Sequence, residues 1–242
     1  MQQLTLNYNS QDPNIISYLT LRKAIGWMGF LLPPLLVFGS FIFDHTNEVK
    51  SSLSGYYWSH MRNILVGVLC IMGGFLLSYH GPKGIRSWDS LASKSAGLFA
   101  FCIAFIPTSQ NGDNALSDNI HYIVSALFLA ILSFMSLFLF TKSGEYITKQ
   151  KIKRNRVFKV CGIIMLASIC LIPLNEIKIV HDHIYKFKPT LICETIALIS
   201  FGISWLVKGE LILKDKSDGQ TIKRDKLTIT TVPLDNNITA GK

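Results

Sequence analysis

The residues best suited to bind a ligand are concentrated in a few short stretches. The string "SGYYWSHMRN" (54–63) places aromatic, imidazole, guanidinium and amide side chains directly before a long apolar run. The imidazole of His121 and the carboxylate of Glu194 lie near the beginning of two further apolar runs. A guanidinium can bind an anionic group through paired hydrogen bonds, and an imidazole or carboxylate can orient it or carry a proton. The candidate ligand-binding residues are Tyr57, His60, Arg62, Asn63, His121 and Glu194.

Long apolar runs separate these polar stretches. The chain is 49% hydrophobic and only 16% charged, whereas a soluble domain carries about 25% charged residues. A helix of about 20 apolar residues crosses a hydrocarbon core of about 30 Å. The sequence therefore predicts an all-α integral membrane bundle of six transmembrane helices, at about 24–43, 62–80, 91–107, 121–140, 157–174 and 190–208.

The predicted spans divide the chain into three parts. Residues 1–21 form an N-terminal cytoplasmic segment, residues 22–213 the six-helix transmembrane domain, and residues 214–242 a flexible cytoplasmic tail. Pro33-Pro34 lies in the middle of the first span and is expected to interrupt its hydrogen-bond ladder. Small residues recur at helical spacing in the third span (Ala96, Ala100, Ala104), which favours close helix packing rather than chemistry.

The distribution of basic residues predicts the orientation. An even number of spans puts both termini on one side, and with cytoplasmic termini only five of the 24 Lys and Arg residues fall outside: Lys50, Arg62, Lys178, Lys186 and Lys188. This is the positive-inside pattern. It explains the net charge of +9 without a nucleic-acid partner, and it makes "KQKIKRNR" (149–156) a cytoplasmic loop beside anionic lipid.

This topology places the candidate residues at the outer side. Arg62 and Asn63 start the second span, His121 starts the fourth, and Glu194 lies about one turn into the sixth. Helix N-termini carry partial positive charge and free N–H groups. An ionisable group inside a span is costly and tends to face a cavity or a partner. Glu194 is therefore expected to pair with Arg62, to be neutral near the membrane interface, or to handle a proton, ion or ligand.

Two kinds of catalytic site have weaker support in the sequence. No HxxxH or HExxH pattern provides zinc ligands, so no metal or other cofactor is expected. Ser54, Ser59, His60 and Asp44 could supply a serine nucleophile with its base and orienting acid, but no spacing singles them out. The aromatic residues of the first outer loop, Tyr56, Tyr57 and Trp58, are typical of the aromatic belt at the headgroup level.

One longer pattern carries a family resemblance. The string "SLSGYYWSHMRNILVGVLCIMGGFLLSYHG", which begins at Ser52, and "AGLFAFCIAFIPT" (96–108) resemble a group of uncharacterised bacterial multi-pass membrane proteins. More distantly the chain is similar to the DUF998 and Frag1/DRAM-like families, six-span proteins without an assigned chemical activity. Asn63 stands where that pattern commonly has Asp, so a role that needs a carboxylate there is not expected.

These observations favour a non-enzymatic protein of a bacterial inner membrane. The leading hypothesis is an outward-facing polar pocket that binds a lipid headgroup or small anion for sensing or transport. In it Arg62 meets the anion, His121 and the helix N-termini assist, and Glu194 orients Arg62. The alternatives are a lipid-modifying hydrolase and a pore-forming effector. Membrane lipids are the expected partners, together with a homo-oligomer.

Overall fold

The fold is described from a computed structural model that covers residues 18–44, 48–81, 87–110, 113–143, 146–175, 185–214 and 221–223. The described residues form six α-helices: α1 (Tyr18–Phe43), α2 (Arg62–Ser78), α3 (Trp88–Phe105), α4 (Ala115–Phe134), α5 (Lys149–Leu174) and α6 (Pro189–Lys208). A π-helical turn (Met135–Leu139) extends α4, and 3₁₀ turns lie at Ser54–Trp58 and Tyr185–Phe187. Two short strands pair antiparallel, β1 (Tyr146–Thr148) and β2 (Thr221–Lys223).

The helices form a closed ring. Each helix packs on the next one along the chain, and α6 packs on both α5 and α1. Contacts between neighbouring helices show that they run antiparallel. Ser133 Oγ donates to the Gly162 carbonyl and Ser136 Oγ to the Phe158 carbonyl, both at 2.8 Å, which sets α4 and its π-helical turn against α5. Contacts in which the numbering likewise rises on one helix and falls on the other join α2 with α3 and α1 with α6. One end of the ring therefore gathers the starts of α2, α4 and α6, and the other gathers the starts of α1, α3 and α5.

Small residues set the closest helix crossings. A Cβ on Gly202 of α6 would lie 2.6 Å from the Phe30 backbone nitrogen and 2.7 Å from the Gly26 carbonyl oxygen of α1, so only glycine allows this crossing. In α3, Ala96, Ala100 and Ala104 are all buried. The predicted packing face of the third span is confirmed, because small side chains allow α2 and α4 to approach it.

Four helices of the described residues are long and apolar enough to cross a membrane, which indicates a membrane protein. They are α1 from Leu19, α4 with its π-helical turn (Ala115–Leu139), α5 and α6. The second predicted span corresponds to the shorter apolar helix α2, of 17 residues. The third corresponds to α3, whose first turns carry the polar residues Asp89, Ser90, Ser93 and Lys94.

Two helices begin earlier than the hydropathy predicts. α5 starts at Lys149, so the prediction that "KQKIKRNR" is a loop is wrong. Lys, Arg and Gln are good helix formers, and the Thr148 hydroxyl caps the helix by accepting from the Lys151 backbone N–H at 3.0 Å. α4 starts at Ala115, six residues before His121, with Asn114 as its cap.

The proline pair does not end α1. Pro33 and Pro34 lie inside one continuous helix from Tyr18 to Phe43. Neither has a backbone N–H to donate, so the hydrogen-bond ladder is interrupted there as expected while the helix continues. Of the N-terminal segment 1–21 only 18–21 is described, and these residues belong to α1. Of the tail 214–242 only residue 214 and the strand 221–223 are described.

Candidate functional site

A cavity of about 70 Å³ opens among the starts of α2, α4 and α6 and the end of α3. Most of its wall is aliphatic or aromatic. Its polar lining residues come from the first 3₁₀ turn, α4 and α6 and are Ser54, Tyr57, His121, Ser125 and Glu194. The apolar ones are Leu32, Leu53, Leu65, Val66, Leu69, Ile103, Ala104, Pro107, Phe128, Leu129 and Leu198. An apolar wall with a few polar groups is the usual character of a small-molecule site.

Glu194 lies in the second turn of α6, and its carboxylate holds the loop before α2. Its Oε2 accepts the Leu53 backbone N–H at 2.5 Å. The neighbouring Leu191 backbone N–H donates to the Ser51 carbonyl at 3.0 Å. The two bonds fix the 51–53 segment across the start of α6, and this places Leu53 and Ser54 on the cavity wall.

His121 lies in the second turn of α4 and is buried. Its Nδ1 is 2.6 Å from the Ile106 carbonyl oxygen, just beyond the end of α3. A carbonyl can only accept, so Nδ1 carries the hydrogen, and the neutral ring then offers Nε2 as an acceptor or base. Since the histidine lines the cavity, a ligand with a hydroxyl or N–H group could use it.

Arg62 adjoins the cavity through Tyr57. The Arg62 Nη2 donates to the Tyr57 hydroxyl at 2.6 Å, and the guanidinium carbon lies 4.3 Å from the centre of the Tyr57 ring. Arg62 itself is exposed. Its expected ion pair with Glu194 is not among the salt bridges of the described residues, because Glu194 is turned to the Leu53 backbone instead.

The remaining two candidates lie outside the cavity lining. His60 is exposed, and both its Nδ1, at 2.6 Å, and its backbone N–H, at 2.8 Å, contact Asp44 Oδ1. Burial acts to raise the pKa of Asp44, but these His60 contacts outweigh it and hold that pKa below its usual value. Asn63 is exposed at the start of α2.

The aromatic residues of the first loop do not form a uniform belt. Tyr56 is fully buried, which corrects its expected place at the headgroup level. Burial raises the pKa of the Tyr56 hydroxyl. Trp58 is exposed, and its indole Nε1 donates to the Thr108 carbonyl at 2.9 Å. Tyr56 therefore anchors the loop to the core, while Trp58 links it to the end of α3.

The structure thus gathers Tyr57, His121 and Glu194 at one cavity. Sequence reasoning missed Ser125 as a lining residue, although it lies one helical turn after His121 and must share its face. It also missed Leu53, whose backbone N–H has no sequence signature.

The described part of the chain lacks the residue arrangements that a metal site and a serine-nucleophile site need. No group of three or more His, Cys, Asp or Glu residues there is arranged to hold a metal ion. No described hydrogen bond joins a serine hydroxyl to His60 or His121, since both imidazoles bond to other oxygens.

No family model, curated protein or solved structure matches this chain.

Proposed function

We propose that this protein is a six-span, multi-pass protein of a bacterial inner membrane that binds a membrane lipid or lipid-like amphiphile in the outward-facing cavity. Both termini are cytoplasmic in this proposal, and the cavity serves sensing or transport. The observation that carries it is a cavity with an aliphatic wall, into which an imidazole and a carboxylate also face.

The volume and the wall favour part of an acyl chain as the buried portion of the ligand. A single water needs about 10–15 Å³ of such space, so about 70 Å³ accommodates several methylene-sized groups. Burying each methylene group of the ligand contributes about 0.8 kcal/mol. An apolar ligand segment fits this wall better than a hydrated ion does.

The charges favour an anionic headgroup at the rim of the cavity rather than inside it. The Glu194 carboxylate on the wall disfavours a bare anion inside the cavity. Of the two ligands expected from the sequence, a lipid headgroup and a small anion, this favours the lipid. Arg62, exposed and fixed on Tyr57, is the group that can meet a phosphate at the mouth. His121 and Glu194 then bind a hydroxyl or amine of the ligand by hydrogen bonding.

Filling the cavity tests this proposal. Ser125→Phe places a ring at a lining position, whereas Ala126→Phe places the same ring on the exposed face of the next residue. Lipid retained by the purified protein is measured by native mass spectrometry. We expect Ser125→Phe to reduce retained lipid about tenfold, equivalent to ~1.4 kcal/mol, while Ala126→Phe retains it. Equal retention by both variants and the unchanged protein would exclude the cavity as the lipid site.

A lipid-modifying hydrolase remains the second candidate, because His121, Ser54 and Ser125 line one cavity. In this role the His121 Nε2 would act as the base for one of the two hydroxyls. Release of fatty acid or headgroup from lipid in detergent, lost in Ser125→Ala or Ser54→Ala, would favour it over binding alone.

A further inference from the structure

A second group of charged side chains lies at the opposite end of the ring, about 21 Å along α6 from Glu194. Its central member is Lys208, the last residue of α6. Lys208 interacts electrostatically with cations from the starts of α1 and α5 and with one acid from α3: Arg22, Lys151, Arg154 and Asp89. We name Arg22, Lys151, Arg154 and Lys208 the basic cluster.

Three members of the basic cluster lie on aromatic rings; one of them is Lys151, whose Nζ is 5.6 Å from the centre of the Phe158 ring. The Arg22 guanidinium carbon is 5.5 Å from the centre of the Tyr79 ring, and the Lys208 ammonium is 4.9 Å from the centre of the Phe140 ring. Neither cation has a salt bridge or side-chain hydrogen bond with a described residue. Cation–π contact holds both side chains in place without neutralising them.

Trp205 lies between these two rings and forms the floor of the cluster. Its ring centre is 5.2 Å from that of Tyr79 and 5.3 Å from that of Phe140. Trp205 is 1% exposed, and its indole Nε1 has no hydrogen-bond acceptor among the described residues; the same holds for the buried Arg22 Nε. A buried donor without an acceptor is unfavourable, so a ligand that brings acceptor oxygens to these two described donors would stabilise the cluster.

The acids described near the cluster contact other cations. Asp89 is 3.8 Å from Lys142 Nζ, and Glu210 is 3.9 Å from Arg154 Nη1. Arg154 also donates to the Leu213 carbonyl at 3.0 Å, and Lys151 donates to the Phe140 carbonyl at 2.7 Å. Arg22 and Lys208, which have no such contact with a described residue, are therefore the members suited to bind an anion.

We propose that the basic cluster binds a phosphate group, with Arg22 and Lys208 as its ligands. A phosphate offers several acceptor oxygens and matches the guanidinium fork better than a single acceptor does. Lys151 stands in the first turn of α5 and adds positive charge beside the site. The phosphate comes either from a lipid headgroup or from a soluble phosphate compound, and these two sources are experimentally separable.

The test uses the full chain in dodecyl maltoside micelles, which contain no phosphate. Thermal unfolding is followed with added phosphatidylglycerol, with added sodium pyrophosphate, and with sodium chloride at matched ionic strength. The test variant is Arg22→Gln/Lys208→Gln. The matched control is Lys153→Gln/Arg156→Gln, which removes the same charge from two exposed positions of α5.

We expect a phosphate-dependent rise in unfolding temperature in the unchanged protein and the control, and a loss of affinity of about 30-fold in the test variant, from ~1 kcal/mol for each of two cations. A rise with phosphatidylglycerol alone identifies a lipid phosphate, and a rise with pyrophosphate alone a soluble one. If the test variant does not fold, Lys208→Gln alone should weaken binding about fivefold. The proposal is overturned if neither phosphate source stabilises the unchanged protein, or if control and test variants lose affinity equally.

Discussion

Glu194 shows how one carboxylate can serve both the loop and the cavity. Its position on α6 brings Oε2 within 2.5 Å of the Leu53 backbone N–H, while the side chain stays half-buried on the cavity wall. A carboxylate inside a span is costly unless it has donors, and this backbone bond supplies one. Glu194, which the sequence suggested as the partner of Arg62, therefore stabilises the 51–53 segment instead.

Substitution of Glu194 separates these two contributions. Glu194→Leu leaves the Leu53 N–H without its acceptor and should lower the free energy of unfolding by about 1–3 kcal/mol. Glu194→Gln keeps a carbonyl oxygen in the same position and should cost less, although it removes the charge. Unfolding by sodium dodecyl sulfate titration measures both. Equal destabilisation by Leu and Gln would show that the charge, not the acceptor, stabilises the loop.

At the scale of the elements, the most important contact is the crossing of α1 and α6, because it joins the first and last described helices and so closes the ring. Gly202 faces the backbone of Gly26 and Phe30 directly. The same crossing aligns Arg22, near the start of α1, with Lys208 at the end of α6. Separation of these two helices would therefore disturb the basic cluster as well as the core.

Glycine substitutions test this crossing. Gly202→Ala adds a methyl group 2.6 Å from the Phe30 nitrogen and should lower the free energy of unfolding by about 1–3 kcal/mol through overpacking. Gly74→Ala is the matched control, since a Cβ there has nothing within 4 Å and alanine favours the helix. Denaturant titration compares them. A Gly202→Ala protein as stable as the Gly74→Ala protein would contradict the close crossing.

At the scale of the whole molecule, the six described helices surround one core, and four of them meet the length and hydropathy of a membrane span. The ring geometry requires α2 and α3 to run alongside the other four. If these two shorter helices also cross the membrane, the topology has six spans. The cavity and the basic cluster then lie on opposite sides of the membrane.

Cysteine labelling of intact cells tests this topology. Ser51→Cys, Ser78→Cys and Lys153→Cys place thiols at exposed positions before α2, at its end, and near the start of α5. A membrane-impermeant maleimide should label Ser51→Cys alone, and the other two should react only after lysis. Labelling of Ser78→Cys from outside would mean that α2 does not cross. The unsubstituted protein gives the background from the natural cysteines.

The apolar runs were sufficient to predict helices at all six places, because a helix satisfies its own backbone hydrogen bonds within each run. The alanine spacing of α3 likewise predicted a buried face. Hydropathy did not predict the start of α5, since the hydrophilic residues 149–156 continue a helix that begins at a Thr148 cap. A hydropathy average detects neither a capping residue nor the helix propensity of hydrophilic residues, so it does not predict where such a helix begins.

Residue type and spacing alone predicted that the polar candidates Arg62, His121 and Glu194 lie near helix starts. The structure has them within the first two turns of α2, α4 and α6. Only the tertiary structure decided their partners. Arg62 contacts Tyr57, and Glu194 contacts the backbone of Leu53, because side-chain pairing between helices depends on how each helix is rotated within the ring. The basic cluster has the same origin, since Arg22 and Lys208 lie far apart in sequence and meet only where the first and last helices pack together.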